Sequence, residues 1–361
     1  MDRLNLIRDS LKKWNIDGIL IESGSNYRWL SGFKGSRCSL LVTQKKALLG
    51  TDFRYWEQAK QQSPEFELVK FGVGEGLANV GDMIHMSGVR RLGLEGNHVT
   101  LSKFKILRHA IKDVDGFKFV TLSEPIEGLR LSKSKTEIDT IRRAVHITDE
   151  VMGLVPQIAH PGMTERTLAW ELEKAMRDRG ADSVAFDIIV AAGPNGAMAH
   201  HRPGDYEMKV GDPIIIDMGC KIDGYHSDLT RTFFLGNQPD DTFKYVYGLV
   251  LLAQKNALSN IKAGLTGKEA DSLARDVIDE AGHGDHFGHS LGHGVGLNIH
   301  ELPRFASSYD DEIPENSIMS VEPGVYLPGW GGVRIEDLVI VQNDGVEILS
   351  AAPKDPIIPV S

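Results

Sequence analysis

Cysteine is scarce: Cys38 and Cys220 are the two in 361 residues. That is too few for a disulfide framework or a thiolate zinc site, and it fits a reducing compartment. Long apolar runs are missing too, since no stretch approaches the ~18 residues that a membrane-spanning helix needs. Residues 1–15 carry charges every few positions where a secretory leader would be apolar, so neither export by that route nor a membrane partner is expected, and a cytoplasmic location is. Positive charge is in deficit, with 40 Lys and Arg against 50 Asp and Glu, a formal net charge of −10 and no basic block. The attraction that a phosphate backbone exerts has nothing to act on, so no nucleic-acid partner is expected.

What remains is an ordinary globular composition, 41% hydrophobic and 25% charged, in a chain long enough for two domains of roughly 150 residues. Residues 1–122 alternate short apolar runs with amphipathic stretches. Strands are expected at Gly18–Glu22, Ser39–Thr43, Ala47–Gly50, Phe66–Lys70 and Phe117–Thr121, and helices at Leu4–Trp14 and Asp52–Gln61. This pattern predicts a separate α/β domain. Residues 123–135 are polar and follow neither period, which makes them the linker.

A second domain is expected over 136–361. Ser134-x-x-Glu137 has capping-box spacing and opens a long helix, and a second helix runs from Thr164 to a stop at Gly180. Strands follow at Val184–Val190, Pro213–Gly219 and Tyr225–Leu235. The same order then recurs, with helices over 240–262 and 266–282 and a hairpin-like end. Gly162-Met-Thr164 and Gly264-Leu-Thr266 stand 102 residues apart, Phe186 and Phe287 101, and Asp217 and Glu322 105. Near-constant separations in one order indicate an internal duplication, hence a pseudo-symmetric α+β fold with a cleft between its halves.

Asp217 and Asp228 are equidistant from a turn centred between Ile222 and Asp223, so they are expected to oppose each other across a hairpin. Glu322 and Glu336 bracket Pro328-Gly-Trp-Gly-Gly332 in the same way. Five of the 13 histidines lie within 283–300, in glycine-rich sequence that includes Gly292-His293-Gly-Val-Gly296. Four acids and a histidine form an oxygen-rich donor set suited to a pair of divalent ions, with carboxylates bridging and a water activated between them. Taken singly, each acid is better explained as a turn cap or a surface charge. Jointly that reading fails, because Asp217 and Glu322 stand in apolar strand contexts where an unpaired charge is costly.

At these residues the chain resembles the pita-bread metallopeptidases, in particular the Xaa-Pro peptidases that include prolidase and aminopeptidase P. The likeness rests on Asp217-Met-Gly with Asp228-Leu-Thr-Arg-Thr232, Gly292–Gly296 with Ile299-His300-Glu-Leu-Pro303, Glu322-Pro-Gly-Val-Tyr326, and Gly332-Val-Arg-Ile-Glu336-Asp337. It extends to residues 1–122, through Asn26-Tyr-Arg-Trp-Leu-Ser-Gly32 and Thr51-Asp-Phe-Arg-Tyr55, so a creatinase-like N-terminal α/β domain is implied before the duplicated pita-bread catalytic domain.

The resemblance implies two divalent metal ions (Mn, Co or Zn) held by Asp217, Asp228, His293, Glu322 and Glu336, with Asp228 and Glu336 bridging. It implies that His200 and His300 contact the substrate carbonyl or leaving nitrogen and that Glu322 shuttles the proton. His201 competes with His200, which the 17-residue spacing to Asp217 favours. Phe186 and Tyr326 would line a proline pocket, His289 a neighbouring wall, and Arg304 would receive a carboxylate. The implied activity is hydrolysis of a proline-containing peptide at the Xaa-Pro bond, as dipeptidase or aminopeptidase, by a homodimer. Two alternatives share the fold: a creatinase-like amidinohydrolase that needs no metal, and a catalytically silent binding protein. The intact ligand set argues against both.

Overall fold

The structure, a computed structural model, describes residues 2–72 and 78–360. The chain divides into two units, Met1–Leu129 and Arg130–Ser361.

In the first unit the opening helix α1 (Arg3–Lys13) is capped by Asp2, whose side chain accepts from the Leu4 N–H, and it buries Leu4, Ile7 and Leu11 on one stripe. Six strands follow: β1 (Gly18–Ile21), β2 (Ser39–Thr43), β3 (Ala47–Asp52), β4 (Glu67–Phe71), β5 (Arg91–Glu95) and β6 (Lys118–Leu122). They form one mixed sheet in the order β4-β3-β2-β1-β5-β6. Buried on both faces, β1 and β2 read as unbroken apolar runs.

Four elements of this unit lie outside the expected set. Helix α2 (Gly24–Ser31) buries Asn26 and Ser31 along with its aromatics, and β5 is framed by Arg91 and Glu95. Helices α4 (Ala78–Ser87) and α5 (Leu101–Ala110) are the others. The helix expected from Asp52 starts later. Asp52 ends β3 and caps a 3-10 turn over Phe53–Tyr55, and α3 covers Trp56–Gln62.

The second unit opens with α6 (Lys135–Met152), whose capping box joins Ser134 and Glu137 as expected. Helices α7 (Val155–Ile158) and α8 (Glu165–Asp178) precede the strands of the first half: β7 (Ser183–Val184), β8 (Ile189–Ala192), β9 (Pro213–Met218), β10 (Cys220–Ile222), β11 (Tyr225–His226) and β12 (Leu229–Leu235). The second half repeats the plan with α9 (Asp241–Asn260), α10 (Gly267–Glu280) and the strands β13 (Gly292–Gly294), β14 (Glu301–Phe305), β15 (Ile318–Val321), β16 (Gly324–Leu327), β17 (Gly331–Arg334), β18 (Asp337–Gln342) and β19 (Gly345–Ile348). A short β20 (Ile357–Ile358) returns to pair with β12. Each half packs two long helices on an antiparallel sheet over its own apolar cluster.

The duplication is visible bond by bond. Gly162 N–H donates to Met208 O, Glu165 to Tyr206 O and Arg166 to Gly204 O; Gly264 donates to Ile313 O, Gly267 to Asp311 O and Lys268 to Tyr309 O. The helix-side residues are displaced by 102 positions and the strand-side residues by 105, two of the three separations legible in the sequence.

Two expected strands are broken at the cleft. Val184–Val190 divides into β7 and β8 because residues 185–188 leave the sheet, and Tyr225–Leu235 is interrupted at Ser227–Asp228. The register of the first hairpin also differs from expectation. Asp217 pairs with Thr230 and Ile222 with Tyr225, so the turn centres between Asp223 and Gly224. Both turn residues have positive φ (50° and 76°), the type I′ geometry that an Asp-Gly pair favours and that fixes register from the turn outward.

Asp228 therefore faces Gly219 and is the diagonal neighbour of Asp217. Gly219 leaves the room this needs: a Cβ there would stand 2.0 Å from the Ser227 carbonyl oxygen. The second pairing holds as expected, with Gly324 opposite Arg334 and Val321 opposite Asp337, which keeps Glu322 and Glu336 on one register line. Gly219→Ala should force this hairpin apart and lower unfolding stability by about 1 to 3 kcal/mol, read from the urea midpoint at constant m.

Candidate active site

Each acid of the centre sits where a strand ends or breaks. Asp217 is next to last in β9, Asp228 lies in the break before β12, and Glu336 lies between β17 and β18. Their carboxylates offer oxygen atoms that all lie within 4.8 Å of one another. Glu322, between β15 and β16, and His293, central in β13, adjoin this trio: His293 Nε2 is 3.2 Å from Glu322 Oε1 and 3.6 Å from Asp228 Oδ2.

Asp228 and Glu336 are buried, and Asp217 Oδ1 and Glu336 Oε1 have no hydrogen-bond donor. Burial, then the neighbouring carboxylates, push the Asp228 and Glu336 carboxyls well above the usual carboxylate range. Asp217 is raised by burial, with Arg334 opposing. Burial also works against ionised Glu322, yet the hydrogen bond and charge of His293 hold it at about 2. His293 is raised: burial opposes its charge, and Glu322 favours it.

The donors that orient these acids come from both halves. Arg334 donates from Nη2 to Asp217 Oδ2 (2.6 Å), from Nη1 to the Tyr326 hydroxyl (2.8 Å) and from Nε to Thr230 Oγ1 (3.2 Å). The Thr230 hydroxyl in turn donates a hydrogen bond to Glu336 Oε2 (2.8 Å). Ser320 Oγ donates to Glu322 Oε1 and accepts from the His293 N–H. Behind them Arg231, fully buried, bonds the Glu336 carbonyl, the Asp337 carboxylate and the Ala352 carbonyl. Among the described residues Arg334 is the one guanidinium bonded to any of the four acid side chains, and it bonds Asp217 alone. Orphaned, crowded oxygens beside a single imidazole fit a cationic guest of the hard, oxygen-seeking kind.

These acids form the floor of a cavity of about 590 Å³ whose lining includes all eleven residues singled out from the sequence. His300 packs edge-on against His293, ring centroids 4.2 Å apart, and burial, then His293, keep it below the usual histidine range. His289 Nε2 lies 2.9 Å from the Tyr326 hydroxyl, its Nδ1 2.8 Å from the Ser290 carbonyl, and burial lowers its pKa. A neutral ring donating from Nδ1 and accepting from Tyr326 satisfies all three groups. His200 and Arg304 are exposed at the wall. His201 is not free in the same way, since its Nε2 lies 2.8 Å from Glu165 Oε2.

Comparison with known proteins places most of the sequence in described families. Residues 139–343 match the metallopeptidase family M24, and residues 3–132 match the creatinase/prolidase N-terminal domain. The chain belongs to metallopeptidase family M24. An uncharacterized peptidase of Bacillus subtilis, YqhT, is 39% identical over 356 residues, 99% of either chain. The solved Xaa-Pro dipeptidase from Bacillus anthracis superposes with a TM-score of 0.95 at 38% identity, covering 100% of this chain and 99% of that one. The X-Pro aminopeptidase of Thermotoga maritima superposes at 0.90 with 37% identity and full coverage of both. The fold of this M24 peptidase is thus the pita-bread fold behind a creatinase-type N-terminal domain.

Three residues of the M24 site escape sequence reasoning. Arg334 and Thr230 lie inside the matched motifs, and the signal was a charge and a hydroxyl at inward positions of otherwise apolar strands. Glu165 looks like an ordinary first-turn acid of a helix. Thr230→Val keeps shape but removes the link between Arg334 and Glu336, so Mn(II) affinity measured by calorimetry should fall roughly ten- to hundredfold with the fold intact.

Proposed function

We propose that this M24 metallopeptidase hydrolyses the bond between a residue Xaa and a following proline, with Asp217, Asp228, His293, Glu322 and Glu336 holding two divalent cations, Mn(II), Co(II) or Zn(II). The observation that carries this reading is the trio Asp217, Asp228 and Glu336, whose oxygens crowd within 4.8 Å with two of them unbonded. When bound, such ions supply a nucleophile from water at neutral pH and positive charge against a developing oxyanion.

The side chains supply the rest. Glu322, held ionised, accepts the proton of the attacking water and delivers it to the proline nitrogen, which cannot leave unprotonated. His300, kept neutral, donates to the carbonyl oxygen of Xaa as that oxygen gains charge. His200 takes the second donor position, because His201 is committed to Glu165. Phe186 and Tyr326 give the proline ring apolar walls, and His289 holds Tyr326 in place.

Arg304 presents an exposed guanidinium to the cavity, where a dipeptide's terminal carboxylate would pair with it. The named relatives include both a dipeptidase and an aminopeptidase; Arg304 favours the dipeptidase. The homodimer rests on family likeness, and the cytoplasmic location on the scarcity of cysteine; among the described residues no helix is long and apolar enough to cross a membrane.

Chelator-stripped protein, checked by elemental analysis, should be inactive on an Xaa-Pro dipeptide and recover with Mn(II) or Co(II). Full activity without metal would leave the amidinohydrolase-like reading in its place. Arg304→Ala should lower kcat/KM on the dipeptide roughly ten- to hundredfold, the scale of a charge-assisted hydrogen bond. A C-terminally amidated substrate should be poor for the wild type and indifferent to the change. Rapid wild-type cleavage of the amidated or a longer peptide would make the enzyme an aminopeptidase.

A further inference from the structure

Glu165, the first residue of α8, has no solvent exposure and lies outside the metal centre. Its carboxylate accepts four hydrogen bonds. Oε1 takes the Ala192 N–H (2.9 Å) and the Asn195 amide (3.0 Å); Oε2 takes His201 Nε2 (2.8 Å) and the Gly204 N–H (3.1 Å). One oxygen therefore grips the chain before His200 and the other grips it after. Four donors saturate an ionised carboxylate, and a partner that only accepts requires His201 to carry its proton on Nε2.

The duplication shows that the fold alone does not ask for this acid. The same joint between helix start and following strand is made in the second half, where the counterpart of Glu165 is Gly267. There a side chain is impossible, since a Cβ would lie 2.0 Å from the Arg304 carbonyl oxygen. What the first half has in addition is the segment 193–204, an irregular stretch with a 3-10 turn at Gly193–Ala197 and no strand partner, ending in the residues around His200.

We propose that Glu165 is the positioning residue for His200: its buried carboxylate pins both flanks of an otherwise irregular loop, so that the His200 ring meets the substrate from one fixed direction. This rests on the role given to His200 above. It also assigns His201, whose ring is spent on the peg, to support and not to substrate contact. Glu165→Gln is the informative change because it keeps volume and the Oε1 bonds, but turns an NH2 group toward two donors, His201 and Gly204.

In the metal-loaded enzyme Glu165→Gln should lower kcat roughly ten- to hundredfold, as misplacement of a catalytic group does, while KM and metal content stay within about twofold. In a His200→Ala background the same change should cost less than about twofold more, since there is no ring left to position. In the metal-free protein the imidazole 15N signals of His201 should report an Nε2-protonated ring in the wild type and a changed one in Glu165→Gln. If Glu165→Gln fails to fold, Asn195→Ala, which removes a single entry-side donor, must show the same selective kcat loss and the same dependence on His200.

A full additional loss in the His200→Ala background, a parallel loss of metal, or an unchanged His201 signature would overturn the proposal. An unaffected kcat in His200→Ala alone would remove the role of His200 and this inference with it, a result distinct from the others because the metal dependence would survive.

Discussion

Four carboxylates converge where little water reaches, and most of the catalytic unit is arranged around the repulsion this creates. At an effective dielectric near 20, two unit charges about 4.8 Å apart oppose each other by roughly 3 to 4 kcal/mol. Asp217, Asp228 and Glu336 make three such pairs, on the order of 10 kcal/mol if all are ionised, which is comparable with the net stability of an entire domain. One guanidinium, Arg334, offsets part of this for Asp217. The remainder is met by holding protons, as the raised Asp228 and Glu336 carboxyls indicate, or by a cation. Metal binding and stability are therefore the same quantity seen from two sides, and the acids can be tolerated only because the scaffold that holds them apart from solvent is itself firmly built.

That scaffold draws its strength from duplication. Each half contributes a hairpin whose strands end at the centre, and two orienting bonds cross from one half to the other: Arg334 of the second to Asp217 of the first, Thr230 of the first to Glu336 of the second. The buried Arg231 continues the crossing behind the acids, binding the Glu336 and Ala352 carbonyls and the Asp337 carboxylate. Because Asp217 and Glu336 are each held by a donor from the opposite half, neither half can shift alone without leaving a buried charge unpaired, a change that costs more than a pair contributes.

How much of this is legible in the residues follows the physics of each signal. The capping box at Ser134 and the acids bracketing a Gly-rich turn are local, and they hold in the structure. The first hairpin shows where local reading fails. Symmetry between Asp217 and Asp228 centres the turn one residue early, whereas the positive φ of Asp223 and Gly224 decides the register and makes the two acids diagonal. Turn chemistry outranks the wish to oppose functional groups. In the first unit, α2 is invisible because its buried face includes Asn26 and Ser31, satisfied by Glu95, Glu127 and Tyr27; polar burial of that kind depends on partners about 70 to 100 residues away and leaves no periodic trace. Glu165 is hidden for the same reason.

The centre and its rim divide the chemistry by burial. Acids, Arg334 and His293 lie in a floor whose geometry is set by strand ends and cross-half bonds, and a change there alters charge balance before it alters substrate choice. His200 and Arg304 are exposed on loops and a strand edge, so their cost of placement is conformational entropy and not desolvation. A hydrolase needs both kinds of order: a floor stable enough to crowd like charges, and a wall free enough to admit a peptide yet aimed when it arrives. His300 shows the compromise. It stands at the border between the two, edge-on to the half-buried His293 and preceding the buried ion pairs of Glu301 with Arg130 and Lys133. Its backbone thus inherits the rigidity of the floor, while its ring, lowered in pKa by burial and by His293, is the neutral donor that the proposed mechanism asks for where the carbonyl oxygen gains charge.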